Sequence, residues 1–373
     1  MTLQILEQAG PEGVPAGFAE LPAQIYADEP NWIPEEPESL TAAFSAENRW
    51  FDRGRARTFC IPGRARLAAF APAVAGQDRR WGFFGYWESA TDSDSDRAIF
   101  ARAEQWLREQ GAPRVYGPIN FSTFGRYRLR LAAEKDAIPF PDEPFNPSSY
   151  PAALERLGYE VDSTYMTQMS PNSGARAARQ AHRAVYERAI AAGYRIEAMR
   201  PELWLEHLDE LYRLVNATFA DNHAYTPIPK ADFARLCGEA FIRRACPQTS
   251  VVAFAPDGEI AGVFLIFPHY GPLVVQGRGA KRVATSELCY ERHMPLLQAL
   301  GPVAAICKTV AVAPAHRGRG LMAALAFSLT ARGDSLYASW YGALIRTHNL
   351  SERYSQPHAI GHRHYALYGK DLS

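Results

Sequence analysis

Between Val310 and Leu325 the chain reads VAVAPAHRGRGLMAAL. A β-type apolar run ends at Pro314, a basic glycine-rich turn follows, and then an apolar run of helical character. Strand, glycine-rich turn and helix together can hold a phosphate. Successive backbone N–H groups from Arg317 to Leu321 would converge on one point, where the new helix adds the positive end of its dipole. Gly318 and Gly320 lack a Cβ, so the backbone there can approach a ligand closely. Arg317 and Arg319 add full charges. A pyrophosphate fits this description. The strand before and the helix after distinguish the segment from a plain strand-to-helix turn carrying surface arginines. Met322 leaves two alternatives: its side chain points away into the core, or it crowds the ligand.

Other chemistry-bearing residues are scattered. The loop Gln276–Arg282, QGRGAKR, is basic and could touch a nucleotide or a phosphate. Arg176, Arg179 and Arg183 form a stripe at helical spacing, for which a solvated face is the usual explanation. Glu287, Glu291 and His293 lie about four apart, again most simply as a solvated helix face. The chain has 40 basic and 40 acidic side chains and a formal net charge of zero. That balance argues against sequence-blind coating of nucleic acid, which needs many phosphate contacts, and leaves a local basic patch open. The five cysteines include no CxxC pair, so neither a disulfide framework nor a structural zinc site is expected, and no metal. The N-terminus lacks a basic region followed by a long apolar core, and no apolar run approaches the roughly 18 residues of a membrane span. A cytoplasmic protein without membrane contact is the expectation.

The elements that must position these groups follow from periodicity and turn chemistry. RTFCIPGRARLAAFAPAV reads as a hairpin turning at Pro62–Gly63, and WGFFGYWES as an aromatic strand. SDRAIFARAEQWLREQG reads as a helix closed by Gly111. RVYGPIN is the next strand, YPAALERLGYE a short helix and VDSTYMTQM a strand. A long helix ending at Gly193 follows. Then the order recurs: RIEAMR as a strand, two helices, the hairpin SVVAFAPDGEIAGVFLIFP turning at Pro256–Gly258, a helix, the strand AAICKTVAVA, the glycine-rich turn and its helix, and the closing strands YGALIRT and HRHYALYGKDL. Alternation of this kind predicts α/β layers in each half. The expected division is 1–169, a linker helix over 170–194, and 195–373.

At this point the residues reach a family. Residues 195–373 resemble the GNAT superfamily of N-acyltransferases, whose signature Gln/Arg-x-x-Gly-x-Gly/Ala lies at the end of the fourth strand. Arg317 and Gly320 match it; Met322 replaces its last small residue. The hairpin PDGEIAGVFLIFP resembles the family's second and third strands. THNLSERYSQ resembles its Asn-x-x-Ser-x-x-x-Tyr segment through Asn349, Ser351 and Tyr354. The first half, 1–169, resembles a second, degenerate domain of the same type. The resemblance implies tandem domains, each a mixed, largely antiparallel sheet flanked by helices. It implies that the amides of Arg317–Met322, with Asn349 and Ser351, hold acyl-CoA, acetyl-CoA first among them. Backbone amides at Val310, Ala311 and Val312 would polarise the thioester carbonyl. The family's usual strand glutamate is missing from AAICKTVAV, so base duty would fall to Asp221 or His223, with Tyr354 as the acid.

The halves differ at the corresponding turn. There the first half reads ESATDSDSD. Glu88, Asp92, Asp94 and Asp96 suit a helix N-terminus and would repel a pyrophosphate, so coenzyme A is expected in the second half alone. The leading expectation is acyl transfer from acyl-CoA to the amine of a small molecule. An alternative is aminoacyl-tRNA-dependent amide synthesis, with Arg176, Arg179, Arg183 and the loop at Gln276 on tRNA. A third is a non-catalytic acyl-CoA-binding protein.

Overall fold

The computed structural model describes residues 3–72, 81–132, 137–220, 222, 224–277, 282–348 and 356–372. The chain forms two compact units that exchange segments. Unit 1 comprises 1–164, 274–282 and 364–373, and unit 2 comprises 165–273 and 283–363.

Unit 1 begins with β1 (Leu6–Ala9), α1 (Leu21–Ile25) and α2 (Pro37–Ala43). It continues with β2 (Gly54–Ile61), β3 (Ala65–Pro72), β4 (Gly82–Ser89), α3 (Ser93–Glu109), β5 (Arg114–Gly117), β6 (Leu129–Arg130) and α4 (Tyr150–Arg156). The strand β7 (Glu160–Pro171) leaves it and enters unit 2. There follow α5 (Asn172–Ala191), β8 (Arg195–Ala198), α6 (Pro201–Glu206), α7 (Leu208–Phe219), α8 (Lys230–Leu236), α9 (Glu239–Ile242), β9 (Val251–Phe254), β10 (Ile260–Pro268) and α10 (Gly271–Val274). Last come α11 (Tyr290–Leu300), β11 (Ala304–Val312), α12 (Leu321–Arg332), β12 (Ser339–Arg346) and β13 (Gly361–Asp371), whose end returns to unit 1.

The strand orders of the two units repeat one plan. In unit 1 the order is β1-β2-β3-β4-β5-β13, antiparallel except for the parallel pair β4·β5, with β6 also on β13. In unit 2 it is β8-β9-β10-β11-β12-β7, antiparallel except for the parallel pair β11·β12. Each unit's set of strands is thus mixed and largely antiparallel. In both units a long helix connects the parallel strands, as such a crossover requires. The helix α3 buries Ile99, Phe100, Trp106 and Leu107 against Phe59, Leu67 and Phe84. In unit 2, α12 buries Leu321, Leu325 and Leu329, and α7 buries Leu211, Leu214 and Val215.

The structure departs from the sequence reading in several places. The expected linker helix over 170–194 is α5, which packs along α12 inside unit 2: Tyr186 stacks on Phe327 at 4.5 Å between centroids. The terminal strand, read as part of the second half, pairs with β5 through Tyr368, Gly369, Lys370 and Asp371. The second of the two helices expected between RIEAMR and the hairpin is two short ones, α8 and α9, separated at Cys237–Gly238. Glu88 is not in the helix N-terminus but on β4. Gln276 belongs to unit 1, where its side-chain amide donates to the Tyr26 and Glu29 carbonyls, each at 2.7 Å. The basic remainder of that loop, 278–281, lies outside the described residues. Among the described residues no helix is long and apolar enough to cross a membrane.

Candidate active site

The site is built where β11 and β12 part. Their parallel pairing runs from Ala304–Ser339 to Cys307–Gly342 and stops. Beyond that point β11 stays with β10, as far as Val312 opposite Gly262, and β12 stays with β7, as far as Arg346 opposite Tyr165. Each strand carries an irregularity at the parting. On β11, Val310 pairs with Phe264 and Lys308 with Leu265, so Thr309 is the extra residue, in a left-handed conformation at φ 65°. On β12 the register shifts between Gly342 and Ile345, and Leu344 has φ 56°. A bulge bends its strand and breaks the ladder locally. The result is a wedge whose β11 side, Lys308 to Val312, has no ladder partner from β12. Val310, Ala311 and Val312 therefore lie beside the opening.

The wedge runs into the glycine-rich turn. A short 3-10 turn, Pro314–His316, leads to Arg317. Gly318 at φ 74° and Gly320 at φ 77° are both left-handed, which glycine adopts without the steric cost borne by other residues. Gly320 is the N-cap of α12, and no side chain caps the helix. The first N–H groups of α12, from Leu321 and Met322 onward, thus lack the side-chain oxygen that usually covers them. Arg317, Gly318 and Arg319 are exposed, and Met322, at the second helical position, is half-buried. Arg317 is held at the mouth of the wedge, with Nε donating to the Val312 carbonyl at 3.3 Å and Nη2 reaching the Thr218 carbonyl at 3.5 Å. His316 Nδ1 and the Tyr194 hydroxyl share a hydrogen bond of 2.8 Å, which ties the turn to the start of β8. The turn suits an anion: its first N–H groups carry no side-chain cap, the helix dipole ends there, and Arg317 and Arg319 stand in it with no carboxylate between them.

One face of the sheet beside the wedge carries polar and aromatic groups that sequence reasoning missed. Phe267, Ile306 and Tyr341 are partners across β10, β11 and β12, so they share a face, and Lys308 shares it two residues further along. Phe267 meets Phe241 of α9 at 5.5 Å between centroids. Tyr341 meets the His269 ring edge-on at 5.7 Å and the Arg363 guanidinium at 5.8 Å. Burial pushes the Cys237 thiol up to about 12, against a smaller opposing pull from Arg244 and Lys308. Lys308 would have been legible as the one charged side chain in AAICKTVAV. The expected proton-transfer groups Asp221, His223 and Tyr354 lie outside the described residues, as do Asn349 and Ser351. Glu287 and Glu291 are exposed, while His293 is buried and its Nδ1 hydrogen-bonds the Cys289 backbone at 2.9 Å. It secures the start of its own helix.

The basic stripe is spent on packing. Arg176 Nε lies 2.6 Å from Asp334 Oδ1, Arg179 Nη2 lies 3.4 Å from Asp334 Oδ2, and the Arg183 guanidinium lies over Phe327.

Unit 1 has the same bulge with a different outcome. Its parallel pair is Gly82–Val115 and Phe83–Tyr116. The register between β3 and β4 shifts after Arg66–Glu88, and Tyr86 is left-handed at φ 50°. Here the chain after β5 fills the gap. Ile119 N–H donates to the Phe84 carbonyl at 2.7 Å, and Tyr86 N–H donates to Asn120 Oδ1 at 2.9 Å. Gly85 admits this plug, since a Cβ there would strike the Ile119 carbonyl. The helix behind the turn is capped: Asp92 Oδ1 accepts from Asp94 N–H at 3.2 Å, and Asp94 and Asp96 occupy the first turn. Hydrogen bonds from Ser95 and Arg64 hold the Asp92 carboxyl down at about 2.

No protein-family model matches the chain. Superposition on solved structures gives the class: over 99% of both chains it matches a tandem GNAT protein from the clavulanic acid biosynthesis pathway, with a TM-score of 0.51 and 12% identity. The chain has the tandem GNAT fold. In sequence it is 26% identical over 270 residues to the bacterial ceramide synthase of Caulobacter vibrioides, covering 70% of this chain and 69% of that protein. It is 25% identical over 230 residues to protein YghO of Escherichia coli, covering 59% of this chain and 57% of YghO, less than two thirds of that relative's length.

Proposed function

We propose that unit 2 transfers an acyl group from acyl-CoA to a primary amine. The observation that carries this reading is the wedge between β11 and β12 opening onto the uncapped N-terminus of α12 at Gly320. In this reading the pyrophosphate lies on the N–H groups of Arg317–Met322, and the thioester lies in the wedge with its carbonyl against the Val310–Val312 edge. The amine nitrogen attacks the carbonyl carbon, the C–S bond breaks, and the thiolate leaves. Asp221 or His223 accepts the amine proton and Tyr354 protonates the thiolate. Similarity to a protein named ceramide synthase supports a long acyl chain, rather than acetyl, and an acceptor of the long-chain amino-alcohol class. The pairing of Arg176 and Arg179 with Asp334 weighs against these arginines serving as a tRNA surface.

The test is release of free thiol from acyl-CoA of two to eighteen carbons, with sphinganine and short amines as acceptors and mass spectrometry of the amide. Chain-length-dependent release with sphinganine is the expected result. Coenzyme A binding without turnover on any acceptor would point to a binding protein, and amide formation only with aminoacyl-tRNA would replace the donor.

A further inference from the structure

At the end of α12 away from the glycine-rich turn, three segments of unit 2 border an open cleft of about 450 Å³, lined by Ala198, Arg200, Pro247, Gln248 and Arg332. Backbone contacts bring the segments together. Ala198 pairs with Val251 between β8 and β9, and the Met199 N–H donates to the Ser250 carbonyl at 2.7 Å, which sets Arg200 beside the residues leading into β9. Arg332 ends α12, and the next residue, Gly333, packs so closely on Thr249 that a Cβ there would lie 2.8 Å from its Cγ2. The length of α12 puts roughly 18 Å between this cleft and Gly320, so the cleft is a separate place from the turn at Arg317.

The lining selects a ligand. It holds two arginines and an amide, and no acid. The acids that flank these residues in the chain are turned to other cations or stand outside the lining: Glu197 Oε1 lies 3.1 Å from Arg195 Nε, Asp334 Oδ1 lies 2.6 Å from Arg176 Nε, and Glu202 is exposed. Gln248 Oε1 accepts from the Tyr290 hydroxyl at 2.7 Å, which turns the donor end of the amide away from Tyr290. Arg332 is braced through Nε, which donates to Ser328 Oγ at 3.3 Å. A cation in the last turn of a helix offsets the helix dipole, which accounts for Arg332 alone. Arg200 stands at the start of α6, where the dipole opposes a cation. Two guanidinium groups drawn from different segments to one cleft repel each other, and a shared dianion relieves that repulsion.

We propose that this cleft binds a phosphate monoester, with its oxygens on the Arg200 and Arg332 guanidinium groups and the Gln248 amide and its organic part against Ala198 and Pro247. Each planar guanidinium matches a pair of phosphate oxygens, and the two positive charges balance the dianion. A cleft of this size takes a small phosphorylated molecule, or the phosphate headgroup of a lipid whose chains lie outside it. Binding here requires no acyl transfer at the turn that starts α12.

The experiment is calorimetric titration of the full chain with glycerol 3-phosphate, using glycerol as the uncharged control. Gly318→Asp removes the competing anion cradle at the start of α12, so the titration is run in that background as well as in wild type. Glycerol 3-phosphate binds in both and glycerol in neither. Arg200→Gln and Arg332→Gln, each added to Gly318→Asp, weaken binding roughly tenfold or more, as loss of a charge-assisted hydrogen bond requires. Both arginines are exposed, so each variant keeps a near wild-type melting temperature, and either carries the test if the other fails to fold. Cosedimentation with phosphatidylcholine vesicles, with and without phosphatidic acid, separates the two sources of the phosphate. Capture by phosphatidic acid that both arginine variants lose, without binding of glycerol 3-phosphate, assigns the cleft to a lipid headgroup. The proposal is overturned if Gly318→Asp binds neither glycerol 3-phosphate nor phosphatidic acid, or if adding the arginine substitutions leaves its binding unchanged.

Discussion

The two strand gaps of this molecule start from one geometry and end in opposite states. In unit 1 a bulge at Tyr86 and a two-residue parallel pair open β4 from β5; in unit 2 a bulge at Thr309 and a four-residue pair open β11 from β12. The chain beyond the second strand takes a different course in each. In unit 1, Ile119 and Asn120 turn back and satisfy the Phe84 carbonyl and the Tyr86 amide. In unit 2 the β11 edge from Lys308 to Val312 receives no such strand partner from β12. The helix termini differ in the same sense, with an acidic cap at Asp92 in one and bare glycine at Gly320 in the other. A repeated fold thus does not repeat a site: backbone polar groups exposed by a bulge are either spent on the protein or left for a ligand.

That contrast breaks most sharply at Gly318. Its position has open space around a Cβ, whereas a Cβ at Gly320 would come within 2.5 Å of Val185. Gly318→Asp places a carboxylate in the anion cradle at a left-handed φ that Asp tolerates. Acyl-CoA affinity should fall roughly a hundredfold or more, while Gly318→Asn stays within a few fold of wild type; equal affinities for the two variants would remove the cradle from the site.

The next largest effect belongs to Glu88 in unit 1. Burial raises its carboxyl to about 7, against the opposing influence of Arg66, Tyr26 and Tyr150, with Glu35 adding to the rise. The folded state therefore holds this proton over a range where the unfolded chain, with an ordinary glutamate near 4.5, has released it. Unfolding free energy should decline as pH rises from about 4.5 to about 7 and then level off, with a total of up to about 3 kcal/mol. Urea titrations across that range would show the decline, and Glu88→Gln should flatten it.

Asn120→Ala tests the plug itself. It leaves the Tyr86 amide without its partner, which should cost about 1–3 kcal/mol by chemical denaturation and leave acyl-CoA affinity unchanged. A gain of a second coenzyme A equivalent in that variant would mean that the plug alone separates the units. The smallest effect is expected at Asp334→Asn, which loosens half-exposed pairs with Arg176 and Arg179. Stability should change by less than about 1 kcal/mol, with thiol release unaltered; a marked loss of activity would show that α5 positions the turn at Gly320.

Much of the site was legible because it is local. The turn at Arg317–Gly320 depends on two residues that tolerate left-handed backbone, and the acidic cap at Asp92–Asp96 depends on side chains within one helical turn. Both stand where the residues placed them. Glu88 was misread as part of that acidic turn because strand and helix join within four residues, and only pairing with Arg66 of β3 fixes it on the sheet. Lys308 and Tyr341 carried no sequence signal of a shared face, since they lie on strands separated by the whole of α12. Asn120 was invisible as a plug for the same reason.

The sequence by itself therefore determined the tandem plan, the glycine-rich turn that starts α12 and the acidic cap at the corresponding place in the first half, because periodicity, glycine tolerance and capping act over a few residues. Tertiary structure alone decided which strand gap stays open, where Glu88 points and which unit receives residues 364–373. Those outcomes depend on pairings between segments tens to hundreds of residues apart, and no local preference specifies them.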